Sequence, residues 1–347
     1  MVPALVLTAG LATRLRPLSF VRAKAALPVA GTPLVHRILR SLTSAGVRDV
    51  VVNLHHLPHT LTALLGDGTQ LGVRIRYSWE VPVLGSAGGP RRALPLLADR
   101  ENRTSDPGSR VPSLDSARLS TGLEATLSQP KGRDGTFLIV NGDTLTDIDL
   151  RAAIEDHRRS GALVTMAVIP NTDPDKYGGV VVADDGSVTG FVNRGSHAPS
   201  FHFVGVQVAE PDAFASAPAD VPYETVAALY PSLLKQRPGA IRAFPTTGDF
   251  VDIGTPSDYL ATSLKLAERE AVDLNAGVAI ARSARVERSV LWDDVVVEDG
   301  AMLRECVVTD GVTVPADTSW HGVTIRAASG ELGPGERRID GLAIAAL

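Results

Sequence analysis

The 347-residue chain contains a single cysteine, Cys306, so it can close no internal disulfide and build no thiolate metal site. That usage suits a reducing compartment, and a cytoplasmic location is expected. Lysine is almost as scarce. Lys24, Lys131, Lys176, Lys235 and Lys265 are five of 34 basic residues, the other 29 being arginine. Arginine serves wherever a plain surface charge is enough, which makes a lysine inside an apolar stretch conspicuous. The net charge of −5 and pI of 5.9 provide no positive excess and exclude a general nucleic-acid binder. No uncharged apolar run approaches the roughly eighteen residues of a membrane span, so no membrane partner is expected. The opening MVPALVLTAG has no basic residues ahead of its apolar run and reads as a buried first strand, not a signal peptide. The eight histidines form no HExxH pattern, and neither a GxSxG elbow nor a Walker Gly-Lys-Ser/Thr ending is present.

What is present is an ordinary globular composition, 44% hydrophobic and 21% charged, in a length that predicts two domains at about 150 residues each. Strand and helix signals alternate along the first half. The apolar run at 4–7 ends at Thr8-Ala9-Gly10, residues 33–45 carry helical spacing up to Gly46, and DVVVNL at 49–54 is a second buried strand. A helix at 59–65, a strand at 73–77 and the run 137–140 follow, the last ending at Asn141-Gly142-Asp143. This alternation predicts a mostly parallel sheet with helices on both faces and ligands beyond the carboxyl ends of the strands. Residues 99–135 are rich in Ser, Arg, Asp, Gly and Pro and read as a mobile surface insertion. Further strands are expected at 163–169, 179–183, 188–192 and 201–208, with Asp184-Asp185-Gly186 as a hairpin turn, then a helix with Thr255 as N-cap and Pro256 at its first position. From about residue 275 the period changes. Val278, Ala284, Val290, Val296, Met302, Val308 and Val314 recur every six residues, as inward-facing positions of a parallel β-helix do. An antiparallel set of Val-rich strands is the alternative.

Four segments could carry chemistry. In the first, a strand runs into the small-residue turn Ala9-Gly10-Leu11-Ala12-Thr13, whose backbone N–H groups could cradle phosphate. Arg14 adds a planar fork and, ten residues on, Lys24 a compact point charge. The bland alternative is an ordinary strand-to-helix turn with surface charges. VLGSAGG at 83–89 again permits close backbone approach, though a tight turn before a helix at 91–97 explains it nearly as well. FLIVNGD delivers Asp143 to a strand end, as a metal ligand or as a plain turn residue, and FVDIGTP places Asp252 among apolar neighbours, where a buried carboxylate needs a partner. The two carboxylates could share a Mg²⁺, which takes one or two carboxylates plus substrate phosphates.

In this order the segments resemble those of the sugar-1-phosphate nucleotidylyltransferases. GLATRLRPLSFVRAKAALPV is similar to the family's glycine-rich GxGTRLxPLT turn and PKP-type lysine, LGSAGG to its LGTAG segment, and NGD and VDIGTP to its two metal-binding aspartate segments. The tail is similar to the left-handed β-helix that follows the catalytic domain in many members. The resemblance implies an α/β fold: a Rossmann-like, mixed but mostly parallel nucleotidyltransferase domain over 1–270 and a short left-handed parallel β-helix over 271–347. It implies that a sugar 1-phosphate attacks the α-phosphorus of a nucleoside triphosphate, giving a nucleotide-sugar and pyrophosphate. Arg14 and Lys24 would be catalytic, and Asp143 and Asp252 would hold Mg²⁺. Leu7, Ala9, Gly10, Leu11, Ala12, Thr13, Glu80, Gly85, Ser86, Ala87 and Gly88 would bind nucleotide, and Asn193, Arg194 and Gly205 the sugar phosphate.

The departures are specific. Ala12 stands where the family usually has glycine, at a cost of about 1 kcal/mol if φ is positive there. Ala23 and Ala25 replace the prolines around the lysine, and Asn193-Arg194-Gly195 replaces a Glu-Lys-Pro that contacts sugar. Within the class, guanylyl transfer to mannose 1-phosphate leads, with uridylyl, thymidylyl or adenylyl transfer to another sugar 1-phosphate open. A non-catalytic subunit that senses a nucleotide-sugar is the alternative from another class. An acyltransferase role for the tail is disfavoured because seven hexads make only about two coils and His321 falls just past them. Open coil edges predict a homo-oligomer.

Overall fold

A computed structural model describes residues 2–99 and 135–347, so the insertion expected at 99–135 falls, except for its two ends, outside the described residues. In chain order the strands of the first domain are β1 (Ala4–Leu7), the hairpin β2 (Pro28–Val29) and β3 (Thr32–Pro33), β4 (Asp49–Leu54), β5 (Arg74–Trp79), β6 (Phe137–Asn141), β7 (Thr144–Thr146), β8 (Val164–Pro170), β9 (Gly179–Val182), β10 (Val188–Val192), β11 (Phe201–Ala209), β12 (Ile241–Pro245) and β13 (Phe250–Asp252). The helices are α1 (Leu34–Ser44), α2 (Pro58–Leu65), α3 (Gly85–Ala98), α4 (Leu150–Ser160), α5 (Tyr230–Gln236) and α6 (Pro256–Glu270).

The central sheet runs β5-β4-β1-β6 with every pairing parallel, then turns antiparallel at β11, which also pairs with β8 and β9. Strands covered on both faces read as continuous apolar runs. Ala4, Val6, Val50, Val52, Leu138 and Val140 pack into one core with Ile38, Leu39 and Leu42 of α1. The alternate residues Leu5, Val51 and Ile139 pack into the other with Ala87, Ala93 and Leu97 of α3. The carboxyl ends of β1, β4, β5 and β6 thus open along one edge. Opposite it the chain forms β7 and β13, an antiparallel pair in which Thr144 faces Asp252. That pairing sets Asp252 on β13 beside the start of β7, next to Asp143, which precedes β7 by one residue, although the two predicted metal aspartates are 109 positions apart in sequence (143 to 252). Helix α6 starts as its sequence predicts: Thr255 accepts from the Asp258 N–H, the Asp258 carboxylate accepts from the Thr255 N–H, and Pro256 takes the first turn.

Beyond α6 the chain winds into stacked coils of short parallel strands. Ala279–Ile280, Val296–Val297 and Thr313–Val314 form one side. Arg285–Glu287, Met302–Arg304 and Ser319–His321 form the second, and Val290–Leu291, Val307–Val308 and Val323–Ala327 the third. Val297 pairs with Ile280 and Val314, seventeen positions to either side. The strict six-residue period is therefore corrected. One side of each coil is a residue short, and the inward residues Leu291, Val297, Leu303, Val308 and Val314 are spaced six, six, five and six apart. The short side moves the phase by one, which leaves Val296 and Met302, expected inside, 39% and 48% exposed. Val290 points the other way, into the core of the first domain with Trp292 and Val307. There are three coils, not two, and His321 lies within the third. A closing hairpin, Arg337–Ile339 and Leu342–Ala346, pairs antiparallel with Val323–Ala327 and covers one of the coil edges on which the expected oligomer depends.

Candidate active site

The open edge of the sheet is a cleft of about 410 Å³. Its walls include the β1 turn from Leu7 to Gly10, Ala12, Thr13, Arg14, Lys24, Glu80, Gly85, Ser86, Asn141 and Asp143. At one end the Lys24 ammonium donates to Asp143 Oδ2 at 2.9 Å and lies 3.8 Å from Asp252 Oδ1. Arg14 reaches the same corner: a Cβ built on Gly254 would lie 3.3 Å from Asp252 Oδ2 and 3.4 Å from Arg14 Nη1. Two cations and two carboxylates therefore converge where β7 meets β13. Two hard oxygen donors beside an open cleft fit Mg²⁺, whose remaining positions would go to substrate phosphates and water. Asp258 Oδ2, 3.2 Å from the same Cβ position, is taken up by the Thr255 N–H, and among the described residues no group of three or more Asp, Glu, His or Cys side chains is placed to hold a metal.

The β1 turn is ordered by Asn53 at the end of β4. Its Oδ1 accepts from the Thr8 N–H at 2.5 Å and the Ala9 N–H at 3.3 Å, and its carbonyl accepts from the Thr8 hydroxyl. Asn53 Nδ2 donates to Glu80 Oε1 at 2.7 Å, and Glu80 Oε2 accepts from the Leu84 N–H at 2.8 Å. Asn53 and Glu80 are 3% and 1% exposed, so this polar pair forms a fixed wall. Beyond Ala9, among the described residues, the amides of Gly10, Leu11, Ala12 and Thr13 have no hydrogen-bond partner, and such a run of free N–H groups suits an anion. Ala12 has φ 47° and ψ 45°. The strain predicted at this residue is present, held in place by Ser19 Oγ donating to the Ala12 carbonyl at 2.9 Å. A12G is expected to stabilise the protein by about 0.5–1 kcal/mol, the freer unfolded glycine offsetting part of the relief. Thermal melting checks it, as a rise of about 1 °C.

VLGSAGG does more than form a turn: α3 begins at Gly85, six residues before the expected helix start. Gly85 has φ +76° and any Cβ would meet Glu224 Oε1 at 2.4 Å. The Glu224 carboxylate instead accepts from the Ser86 N–H at 3.1 Å and the Ser86 hydroxyl at 2.5 Å. Ala87 and Gly88 do not line the cleft. Their N–H groups donate to the Tyr223 carbonyl at 2.9 and 3.1 Å, so the first turn of α3 is packed against the 221–224 segment. Leu11 is also off the cleft wall, 44% exposed.

A second, wider cleft of about 940 Å³ shares Leu7, Ser86, Asn141 and Glu224 with the first and continues along β10 to Asn193. Arg194 lines neither cleft. It is exposed in a turn that closes as the Ser196 N–H donates to the Asn193 carbonyl at 3.2 Å and is tethered by the Gly195 N–H donating to the Pro174 carbonyl at 2.7 Å. Gly205 is buried, with its open side against Thr144 Oγ1 and Asn141, and it too is off both walls. His202 stacks on Tyr177 with centroids 4.1 Å apart and meets Phe250 edge-on at 4.7 Å. Burial pushes its pKa down, and Lys176 adds to this, against the pull of Asp252. Lys176 lies 3.8 Å from Asp258, and its pKa is raised by Tyr177 first, with burial opposing and Asp258 and Asp252 adding to the rise. Sequence reasoning missed Asn53, Asn141 and Glu224. The first two carry a legible signal, a polar side chain at the carboxyl end of a buried parallel strand. Glu224 carries none, because only the fold brings it to α3.

Residues 3–104 and 121–269 match the family described as Nucleotidyl transferase, and residues 268–323 match GlmU-like, C-terminal hexapeptide. The chain is 26% identical over 344 residues to a mannose-1-phosphate guanylyltransferase of Mycobacterium tuberculosis, covering 99% of this chain and 79% of that protein. It is 33% identical over 258 residues to an N-acetylmuramate alpha-1-phosphate uridylyltransferase of Neisseria meningitidis, covering 73% of this chain and 93% of that protein. Among solved structures, HddC from Yersinia pseudotuberculosis complexed with GMP-PN superposes with a TM-score of 0.57 at 20% identity, over 77% of this chain and all of that one. Among the described residues no helix is long and apolar enough to cross a membrane. With the sequence match spanning most of its length, the chain belongs to the nucleotidyl transferase family and carries a GlmU-like C-terminal hexapeptide domain.

Proposed function

We propose that the protein transfers a nucleoside monophosphate from a nucleoside triphosphate to a sugar 1-phosphate, releasing pyrophosphate, with GTP and mannose 1-phosphate as the leading pair. The observation that carries the reading is the Lys24 ammonium held between Asp143 and Asp252, at the end of a cleft whose turn has free amides. The attacking oxygen of a sugar 1-phosphate is already ionised, so no general base is required. That oxygen forms a bond to the α-phosphorus as the bond to the β-phosphate oxygen breaks, and pyrophosphate leaves with the electron pair. Both reactants are anions, and the protein's work is positioning and charge stabilisation. Arg14 holds the β- and γ-phosphates, the departing group. Lys24 meets the α-phosphate, where charge accumulates in the transition state. The amides of Gly10 to Thr13 bind phosphate oxygens, and the Asn53–Glu80 wall fixes the backbone against which the base lies. Mg²⁺, when bound through Asp143 and Asp252, supplies charge neutralisation between the two phosphates. The wider cleft, with Asn193 and Glu224, takes the sugar.

The mannose 1-phosphate assignment is supported by the relative matched along nearly the whole chain. A uridylyl transfer is the second reading, favoured by the higher identity of the Neisseria relative over the first domain. Pyrophosphate release with Mg²⁺, measured for each nucleoside triphosphate against mannose, glucose, N-acetylglucosamine, N-acetylmuramic acid and galactose 1-phosphates, decides between them. Turnover with one pair, abolished in Asp143→Ala, is the expected outcome. Nucleotide-sugar binding without turnover by any pair would move the protein to a sensing role.

A further inference from the structure

Arg22 lies two residues before Lys24, and its side chain leaves the first domain for the coil. Nε and Nη2 donate to Asp310 at 2.8 and 2.6 Å, and Nη2 donates to Asp293 at 2.5 Å. The guanidinium carbon sits 5.2 Å from the centroid of the Trp292 ring. Asp293 and Asp310 are one coil apart, each two positions beyond the paired residues Leu291 and Val308. Equivalent side chains on adjacent strands stand about 4.8 Å apart, and like charges so placed repel. Arg22, 14% exposed, bridges the two carboxylates with its single charge and offsets their repulsion. Trp292 extends the contact. Its Nε1–H donates to the Tyr259 hydroxyl at 2.9 Å, and that hydroxyl donates at 2.5 Å to the carbonyl of Pro28, four residues past Lys24.

A second grip lies upstream. Phe20 is flanked by the guanidinium groups of Arg16 at 5.1 Å and Arg326 at 5.3 Å. Gly333 closes over the ring so tightly that a Cβ there would come within 2.5 Å of Phe20 Cε2. The stretch between the two cations of the cleft, Arg14 and Lys24, is thus held by the C-terminal domain through residues that do not line the cleft.

We propose that Arg22 is a positioning residue for the transfer: through Asp293 and Asp310 the coil fixes where the Lys24 ammonium stands relative to Asp143 and Asp252. The turnover arm of its test rests on the nucleotidyl-transfer reading; the exchange arm does not. Wild type, R22M, R22K and the double variant D293N/D310N are compared as full-length protein. In hydrogen exchange, the readout is the Ala26 and Leu27 amides, which close the turn on the Ala23 and Lys24 carbonyls at 2.8 and 3.2 Å. Their exchange is expected to rise at least about tenfold in R22M and in D293N/D310N, and less in R22K, since opening the anchor lets this turn fray. At saturating substrates kcat is expected to fall about ten- to a hundredfold, with the nucleotide KM within about threefold, the pattern of a displaced transition-state contact. Unchanged exchange in folded R22M overturns the proposal, as does wild-type kcat in a variant whose exchange has risen. D293N/D310N leaves the first domain's sequence intact and carries the test if R22M does not fold. A wild-type protein inactive with every substrate pair would defeat the transfer reading alone, and the exchange result would still decide the role of Arg22.

Discussion

K24M is expected to lower kcat about a hundred- to a thousandfold while leaving the nucleotide KM within a few-fold. Methionine keeps the length of the side-chain stem and removes only the ammonium. Arg14 and the free amides of the β1 turn remain to bind the triphosphate, so ground-state affinity changes little. On the proposed reaction, what is lost is the protein's own cation at the α-phosphate, and removing a preorganised donor at the point of developing charge has that scale of effect. Steady-state kinetics at saturating sugar 1-phosphate measure it. A second readout is independent of turnover. In the wild type the ammonium already sits on both carboxylates, at 2.9 and 3.8 Å, and a divalent cation must displace it to bind there. In K24M the carboxylates face each other with nothing between them. Added Mg²⁺ is then expected to raise the melting temperature more in K24M than in wild type. An equal rise in both proteins would mean that the cation binds elsewhere.

E336A is expected to cost about 3–5 kcal/mol and to lower the melting temperature by roughly 5 °C. The Glu336 side chain is fully buried and that of Arg326 is 5% exposed; they meet in a two-pronged pair at 2.7 and 2.6 Å. Glu336 Oε2 also accepts from the Gly333 N–H at 2.5 Å. Truncating the acid leaves a guanidinium buried without its counter-charge, which is far more costly than removing both. The pH dependence has a definite sign. Burial alone would push the Glu336 carboxyl up, but Arg326 and the Gly333 N–H outweigh it and hold the pKa below the ordinary 4.5. A depressed carboxylate contributes stability that is complete above its unfolded value and is lost as pH falls through its folded one. The stability gap between wild type and E336Q should therefore be constant from neutral pH to about 4.5 and shrink below it, as followed by melting curves across that range.

Most of the first domain is legible in the sequence because its strands are continuous apolar runs. β4 and β10 fall where their patterns place them, and Thr255 caps α6 as its hydroxyl and following proline predict. The segments that build the catalytic corner are legible for a related reason: Asp143 and Asp252 each end such a run, and the β7–β13 pairing does the rest. Other elements are hidden by composition. α4 has the sequence LRAAIEDHRRS, mostly polar, and is ordered by the Asp149 cap and Gly161 at its end. α3 opens on Gly85, Gly88, Gly89 and Pro90, which read as turn, so that the sequence predicts helix only for its later part at 91–97. Arg194 looked suited to phosphate by residue type, yet the turn that carries it faces solvent. Asn53, Glu224 and Arg22 act through partners tens to hundreds of positions away, and no local pattern announces those distances.

The seventeen-residue step makes the C-terminal domain countable. Length there changes without penalty only by whole coils. Removing 296–312 would close the stack on itself with every later residue still on its proper side. Removing twelve from the same point, as a six-residue rule would allow, would set Val308 and Val314 at the outward positions of Val296 and Met302. The same arithmetic sets the reach of Arg22, whose two carboxylates come from successive coils. A shortened domain that kept perfect packing would still present it with one aspartate where two now stand. The number of coils is thereby written into the charge balance beside the cleft.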